Sequence, residues 1–175
     1  SFGGKMFRYT NDEGMSWDTG PTLISLPEVI NLLFKSIKKP APILIPLESG
    51  CRLLFKDNTD WSLPLGIKNL VSYFNKIDPK VSKQFDEAMK ISSAIYEFAE
   101  KHIFHEDPPS SLMLGFKSVT SGLLLKYPKI TLTPYAKVID NLISNNNLRE
   151  FFYHFSSYVG MNPNEAQGGI LSIAN

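Results

Sequence analysis

The residues best suited to chemistry are a few histidines, carboxylates and one cysteine, so their spacing is the first question. His102 and His105 lie three residues apart and are followed by Glu106 and Asp107, which places four potential metal ligands at one helix end. Metal sites gather three or four ligands that are held by supporting partners. A histidine at a helix C-terminus is also explained by its interaction with the helix dipole. We therefore expect no metal site and interpret this group as a solvated helix end.

The cysteine and the third histidine do not identify a catalytic centre either. Cys51 follows Ser49 and Gly50, and a thiol nucleophile needs a nearby base that this spacing does not supply. We interpret the segment as a tight hairpin turn with a small buried cysteine. His154 lies among aromatic residues and is interpreted as a packed or half-exposed histidine. No acid–base pair follows from spacing, so the catalytic residues stay unassigned.

A glycine pair opens the chain, at Gly3 and Gly4, and raises the question of what precedes it. Paired glycines let the backbone approach a neighbour closely, and such a turn usually follows a secondary-structure element on its N-terminal side. A dinucleotide-binding fingerprint would need GxGxxG between a strand and a helix, and these 175 residues contain no such motif. We expect the secondary-structure element that would precede the glycine pair to be missing.

Composition limits the classes of partner. The chain has 18 basic and 17 acidic residues, so it offers no strong field for nucleic acid. A single cysteine favours a reducing compartment, and we expect a cytoplasmic protein. No apolar run reaches the roughly 18 residues of a membrane span, so any membrane contact should be peripheral. The length suits one domain, or one domain with a remnant of another.

The first third of the sequence predicts a hairpin, a helix and a small antiparallel sheet. Residues 4–10 and 15–18 alternate like strands on either side of a turn at 11–14. Ser25 and Pro27 predict the start of a helix that ends before Pro40. Three short β-type runs, "ILIPLES", "CRLLFKD" and "DWSL", predict a small antiparallel sheet from about 43 to 63.

The rest of the chain has helical spacing. A helix is predicted over 66–77 and a long one over about 80–105. The apolar stripe of the long helix steps by three and four residues: Val81, Phe85, Ala88, Ser92, Ile95, Ala99 and Ile103. Further helices are predicted over 110–126, 134–144, 147–158 and 163–174. The fold class is therefore α+β, mostly helical with a small antiparallel sheet and an N-terminal hairpin.

Three blocks of the sequence resemble flavin-dependent phytoene desaturases and related carotenoid oxidoreductases, of the flavin amine oxidoreductase superfamily. These are "GGKMFRYTNDEGMSWDTGPTLISLPEVINLLF", "CRLLFKDNTDWSL" and "NNLREFFYHFSSYVGMNPNEA". In the first block the residues that match the family in spacing are Gly3, Gly4, Lys5, Gly14, Trp17, Asp18, Gly20, Pro21, Thr22 and Pro27. The resemblance covers almost the whole chain.

The resemblance implies an excised piece of a larger flavoenzyme. Residues 1–26 would be a remnant of the FAD-binding domain that lacks its Rossmann βαβ unit, and 27–175 would be the substrate-binding domain. The parent would be an FAD-dependent desaturase acting on a long apolar polyene, with the hydride chemistry supplied by the flavin. We expect the piece alone to be inactive and to purify without FAD.

The resemblance also implies which residues lie near the cofactor: Gly3, Gly4, Lys5, Asp18, Gly20 and Pro21. The family has arginine where this chain has Lys5, and lysine lacks the planar fork of a guanidinium. The expected partners are a lipophilic substrate, the missing FAD domain and a bilayer surface touched peripherally, with no nucleic acid. Surface meant for the FAD domain could also drive self-association.

Two alternatives stay open from the sequence. The chain could be a self-contained helical module that binds an apolar ligand or a protein partner without a cofactor. It could also be a flavoenzyme of the same family whose substrate is a retinoid or an amine. The first alternative predicts a closed core with no uncovered apolar face.

Overall fold

The architecture is taken from a computed structural model of the 175-residue chain, which describes residues 7–20, 23–24, 26–104, 107, 110–128, 130 and 133–175. The chain folds as two compact units, Ser1–Pro46 and Leu47–Asn175.

The N-terminal unit contains the predicted hairpin and helix. Strands β1 (Arg8–Thr10) and β2 (Ser16–Asp18) pair in antiparallel register, with Tyr9 opposite Trp17. The turn is closed by Asn11, whose side chain accepts from the backbone N–H of Met15 at 2.9 Å. Helix α1 (Pro27–Ser36) begins with proline in its first turn, as predicted. The predicted cap residue Ser25 lies outside the described residues.

The C-terminal unit begins with a second hairpin rather than a three-run sheet. Strands β3 (Cys51–Leu54) and β4 (Asp60–Leu63) pair antiparallel around a turn in which Asn58 has φ +65°. The prediction of a strand in "ILIPLES" was wrong, because residues 43–49 form no strand. Pro46 has no backbone N–H to donate to a neighbouring strand, and the Ile43 side chain is 94% exposed. Strand pairing would therefore not stabilise this segment.

Two helices form the framework of this unit. Helix α2 (Ile67–Ile77) leads through Asp78 into helix α3 (Pro79–Ala99), and the Asp78 carboxylate caps α3 by accepting from the Lys80 N–H at 2.8 Å. The predicted stripe of α3 is confirmed, since its members from Val81 to Ala99 are buried. The helix then widens into a π-helical segment, Glu100–Phe104.

Shorter helices pack around α3. The predicted helix over 110–126 is divided into α4 (Ser111–Thr120) and α5 (Leu123–Lys126) by Gly122, which has φ +78°. Helices α6 (Tyr135–Leu142) and α7 (Asn146–Tyr153) follow, and α7 continues as a 3₁₀ helix, His154–Val159. The prediction of a helix over 163–174 is confirmed only in its second part: residues 163–165 form a turn, and a 3₁₀ helix, Gly168–Ala174, follows.

A chain of aromatic rings links the second hairpin to the helices. Trp61 of β4 contacts Phe74 of α2 at 5.1 Å between ring centroids, Phe74 contacts Phe85 of α3 at 4.9 Å, and Phe85 contacts Phe152 of α7 at 6.0 Å. These four side chains are buried. Burial of rings from four elements in one cluster makes the hairpin part of the helical core.

The fold class is α+β, as predicted, with two small antiparallel hairpins among mainly helical elements in the described residues. Among those residues, no helix is both long enough and apolar enough to cross a bilayer.

Candidate functional site

The described part of the predicted cofactor site lies on the first hairpin. Asp18 is the last residue of β2, and Gly20 follows in a bend. The remaining predicted members, Gly3, Gly4, Lys5 and Pro21, lie outside the described residues. Of the predicted cofactor site, the structure therefore describes Asp18 and Gly20.

Pairing across the hairpin holds Asp18 in place without covering it. Arg8 donates through Nε to Asp18 Oδ1 at 3.3 Å, and the two side chains are 70% and 52% exposed. The next residue, Thr19, donates its N–H and its hydroxyl to the Phe7 carbonyl at 2.8 and 2.9 Å. These bonds fix the backbone at the end of the strand. The Asp18 carboxylate can accept further hydrogen bonds from a ligand.

The hairpin has one polar and one aromatic face because side chains alternate along each strand. Arg8, Thr10 and their partners form the polar face, where the Thr10 and Ser16 hydroxyls lie 2.7 Å apart. Tyr9 and Trp17 form the aromatic face, with ring centroids 5.0 Å apart. Tyr9 is 47% exposed and Trp17 is 50% exposed. Two neighbouring aromatic rings that are this exposed to solvent are typical of a contact surface.

Helix α1, which belongs to the same unit, also exposes large apolar side chains. Val29, Leu32 and Leu33 are 52%, 61% and 54% exposed, and the helix buries none of its residues. Indeed, no described residue between 7 and 46 is buried. A segment with so many large apolar side chains and no interior of its own is stabilised only when another surface covers it.

In the C-terminal unit, a groove of about 590 Å³ runs along α3. Its apolar lining comes from Ile67, Met89, Ala94 and Tyr127. Its polar lining residues are Asp86, Lys90, Ser93, Glu97 and Lys126. Asp86 pairs with Lys90 one helical turn later, and this hydrogen bond and charge raise the pKa of Lys90. The lining is therefore mixed, with two acidic and two basic side chains beside the apolar ones.

A second cleft, of about 450 Å³, lies between β4 and α2. Its lining includes Glu48, Tyr73 and Lys76 with several hydroxyl and amide side chains. Two of these already have backbone partners: Asn69 donates to the Leu65 carbonyl at 2.8 Å, and Ser72 donates to the Lys68 carbonyl at 3.0 Å. We regard the α3 groove, which is the larger of the two, as the better candidate for an apolar ligand.

The "LR" block forms a polar clamp between α6 and α7. Arg149 of α7 donates through Nη1 to Asp140 of α6 at 3.4 Å and through Nη2 to Asn146. The Tyr153 hydroxyl also donates to Asp140, and burial together with this bond raises the pKa of Tyr153 to about 12. The clamp orients α7, which carries Phe152 into the core. Sequence analysis missed Asp140 and Tyr153, although the "LREFFY" pattern contains Tyr153.

The remaining candidates do not form a reactive centre in the described residues. Cys51 is exposed at the first position of β3, so its interpretation as a buried turn residue was wrong. Partial desolvation raises the pKa of its thiol, which lowers its thiolate content. His102 contacts the Phe98 ring at 4.9 Å. His105 and Glu106 lie outside the described residues, and elsewhere no group of three potential metal ligands occurs.

Comparison with known proteins was made over the whole chain. No family model matches it. It is 24% identical over 168 residues to 4,4'-diapophytoene desaturase (4,4'-diaponeurosporene-forming) of Staphylococcus haemolyticus strain JCSC1435, which covers 93% of this chain and 32% of that protein. It is 26% identical over 168 residues to 4,4'-diaponeurosporene oxygenase of Staphylococcus aureus strains bovine RF122 / ET3-1 and USA300, which covers 94% of this chain and 33% of each of those proteins.

The chain is similar to carotenoid desaturases and oxygenases at low identity. It spans about a third of the length of the curated relatives that it matches. These relatives agree with the resemblance seen in the sequence.

Proposed function

We propose that the chain is the substrate side of an FAD-dependent oxidoreductase that acts on a long apolar polyene. The observation that carries this proposal is the match of more than nine tenths of the chain to one third of a diapophytoene desaturase and of a diaponeurosporene oxygenase. The other two thirds of such an enzyme would provide the nucleotide-binding sheet.

The uncovered surface of the N-terminal unit supports this assignment. Tyr9 and Trp17 on the hairpin and Leu32 on α1 are all close to half exposed or more. A nucleotide-binding sheet packed on the aromatic face would remove these side chains from water, at about 25 cal/mol for each Å² of apolar area buried. We therefore infer that residues 1–26 complete the FAD-binding domain and that 27–175 form the substrate domain. In the structure, α1 belongs to the same compact unit as the hairpin.

The polar face of the hairpin fits a nucleotide. Among the described residues, Arg8 engages Asp18 through Nε, so its two Nη groups can donate to phosphate oxygens. The Asp18 carboxylate can accept from a ribose hydroxyl. We propose that Asp18 and Gly20, together with Gly3, Gly4, Lys5 and Pro21, hold the cofactor. A bound flavin would supply the redox chemistry, and this chain would shape and orient the substrate.

The substrate would lie along the α3 groove. Ile67, Met89 and Tyr127 offer apolar contact, and the Asp86–Lys90 pair offers charge at the groove. Binding there would orient an extended hydrocarbon and exclude water from it. The chain needs no acid–base residue for this role.

The proposal is tested by expressing the uninterrupted reading frame that contains these residues in a bacterial host that accumulates an acyclic carotenoid precursor. Chromatography with absorbance detection should show a product whose conjugated system is longer or more oxidised than that of the precursor. A folded, FAD-loaded protein that leaves each supplied polyene unchanged would contradict the polyene assignment and favour a retinoid or amine substrate.

Asp18→Asn in the same full-length protein tests the cofactor assignment, with Asp12→Asn in the exposed turn as the matched control. Loss of a charged hydrogen bond to FAD should weaken FAD binding about tenfold or more in Asp18→Asn. Stability should change by less than about 1 kcal/mol, because an exposed ion pair contributes little. If both variants bind FAD as the parent does, Asp18 only pairs the strands.

A second candidate function is a self-contained helical module, which the buried hydrophobic cluster within 47–175 favours. This function differs from the first in that no flavin is expected to be bound. A full-length protein that folds without flavin and binds an apolar ligand would replace the first proposal with this one.

A further inference from the structure

One side of helix α2 forms a wall of the cleft of about 450 Å³ that lies between α2 and β4. The residues of α2 that line the cleft recur at steps of three and four positions, so they share one side of the helix. They are Asn69, Ser72, Tyr73 and Lys76. The Tyr73 ring packs edge-on against Phe74, with ring centroids 5.6 Å apart. Within the described structure, the Tyr73 hydroxyl has no hydrogen-bond partner.

A second wall comes from the segment just ahead of β3, which contributes Glu48 and Ser49. The Gly50 N–H donates to the Leu63 carbonyl at 2.9 Å and so holds this segment beside the end of β4. Leu63 and Pro64 form the apolar part of the lining. The cleft is thus built from three separate segments of the C-terminal unit.

The cleft contains one acidic and one basic side chain, Glu48 and Lys76. Among the described residues, neither takes part in an ion pair or a side-chain hydrogen bond. Three hydroxyl groups of the same lining, those of Ser49, Ser62 and Tyr73, likewise make no side-chain hydrogen bond there. An anion would engage only the ammonium group, and a cation only the carboxylate. A ligand that carries both charges would engage both groups at once.

We propose that this cleft binds a small zwitterion, namely a short aminocarboxylic acid. The ammonium group of the ligand donates to the Glu48 carboxylate, and its carboxylate accepts from the Lys76 ammonium group. The three hydroxyl groups provide further hydrogen bonds, and Leu63 and Pro64 contact the methylene groups of the ligand. The lining residues of this cleft differ from those of the α3 groove, so the site is separate from the one proposed for the polyene.

The test is isothermal titration calorimetry of the full-length protein with glycine, β-alanine, 4-aminobutyrate and 5-aminopentanoate, which differ in the distance between their two charges. Acetate and methylammonium are the single-charge probes. The site variants are Glu48→Gln, Lys76→Met and the charge-exchanged pair Glu48→Lys/Lys76→Glu. The control variant is Lys83→Met/Glu87→Gln, whose two side chains are exposed on α3 and line neither the cleft nor the groove. Glu48 and Lys76 are exposed, so the site variants should keep the fold, which circular dichroism checks.

At least one of the four zwitterions should bind with a Kd of about 1 mM or lower, and each single-charge probe should bind at least about tenfold more weakly. Glu48→Gln and Lys76→Met should each weaken zwitterion binding about tenfold, because one charged hydrogen bond is lost, while the control variant should bind as the parent does. The charge-exchanged pair should bind more tightly than either single variant, because the ligand can bind it in the reverse orientation.

Three results would overturn the proposal. The first is that no zwitterion binds, or that site and control variants lose binding equally. The second is that acetate or methylammonium binds as tightly as the zwitterion. The third is that the charge-exchanged pair binds no better than the single variants. None of these readouts depends on flavin content or redox activity, so they are independent of the function proposed above.

Discussion

Gly168→Ala tests how tightly the C-terminal 3₁₀ helix is held against the rest of its unit. A Cβ built at Gly168 would lie 2.3 Å from the Ile130 carbonyl oxygen, 2.9 Å from Val138 Cγ2 and 3.1 Å from the Thr133 carbonyl oxygen. Ordinary van der Waals contact is 3.4–4 Å, and two of these three atoms belong to backbone that cannot rotate away. The Gly168 N–H also donates to the Thr133 carbonyl at 3.0 Å.

The expected loss of stability follows from these distances. Overpacking costs about 1–3 kcal/mol, and the strained hydrogen bond adds about 1 kcal/mol, so Gly168→Ala should destabilise by about 2–4 kcal/mol. For a chain of this size that corresponds to a fall in Tm of about 5–15 °C. Gly169→Ala is the matched control, because a Cβ there meets no atom within 4 Å. Urea unfolding followed by circular dichroism measures both, and equal midpoints for the two variants would refute the steric argument.

Two further predictions concern tyrosines. Tyr135→Phe removes the buried hydrogen bond, 2.6 Å long, from the Tyr135 hydroxyl to the Phe152 carbonyl. Its free energy of unfolding, measured in urea, should fall by about 1–3 kcal/mol. Tyr158→Phe, at an exposed site, is the control and should change that free energy by less than about 0.5 kcal/mol. The pKa of Tyr153 is raised from 10.0 to about 12 by burial and by its bond to Asp140, so its contribution to stability is complete below pH 10 and is lost as pH rises toward 12. Tyr153→Phe should flatten that alkaline decline and remove one late-titrating tyrosine from the ultraviolet titration; an unchanged titration would show that Tyr153 ionises normally.

Local signals were sufficient for much of the fold. The three- and four-residue steps from Val81 to Ala99 predicted α3 and its buried side, and Pro27 predicted the start of α1. Periodicity could not show that the helix widens after Ala99, because the same spacing continues to Ile103. The turn at Asn11 and Gly14 could be predicted because both residues act locally. The Asn11 side chain accepts a hydrogen bond from a backbone N–H of the turn, and Gly14 adopts a positive φ.

The wrong predictions share a physical cause. "ILIPLES" has β-type residues, yet Pro46 and the lack of a partner strand leave it unpaired. Residues 163–174 have helical composition, but the close approach of Gly168 to the Ile130 carbonyl selects a tighter 3₁₀ segment. In both cases tertiary context outweighs local propensity, through a missing partner strand in the first and a close backbone approach in the second.

The candidate site was only partly accessible from sequence. The assignment of Asp18 to the cofactor site is implied by the family resemblance and stays a prediction, while its pairing with Arg8 follows once the hairpin register is known. The clamp of Asp140 with Arg149 and Tyr153 joins two helices, so no local pattern marks Asp140. The cleft that contains Glu48 and Lys76 was equally hidden, since its walls come from separate segments of the chain.

The flavin content of the protein translated from the uninterrupted reading frame tests the central claim most directly. The account predicts an oxidised-flavin absorbance spectrum, FAD released on denaturation in stoichiometric amount, and a strand–GxGxxG–helix segment encoded ahead of Gly3. A folded, colourless protein that neither releases FAD nor binds it when it is added would contradict the account.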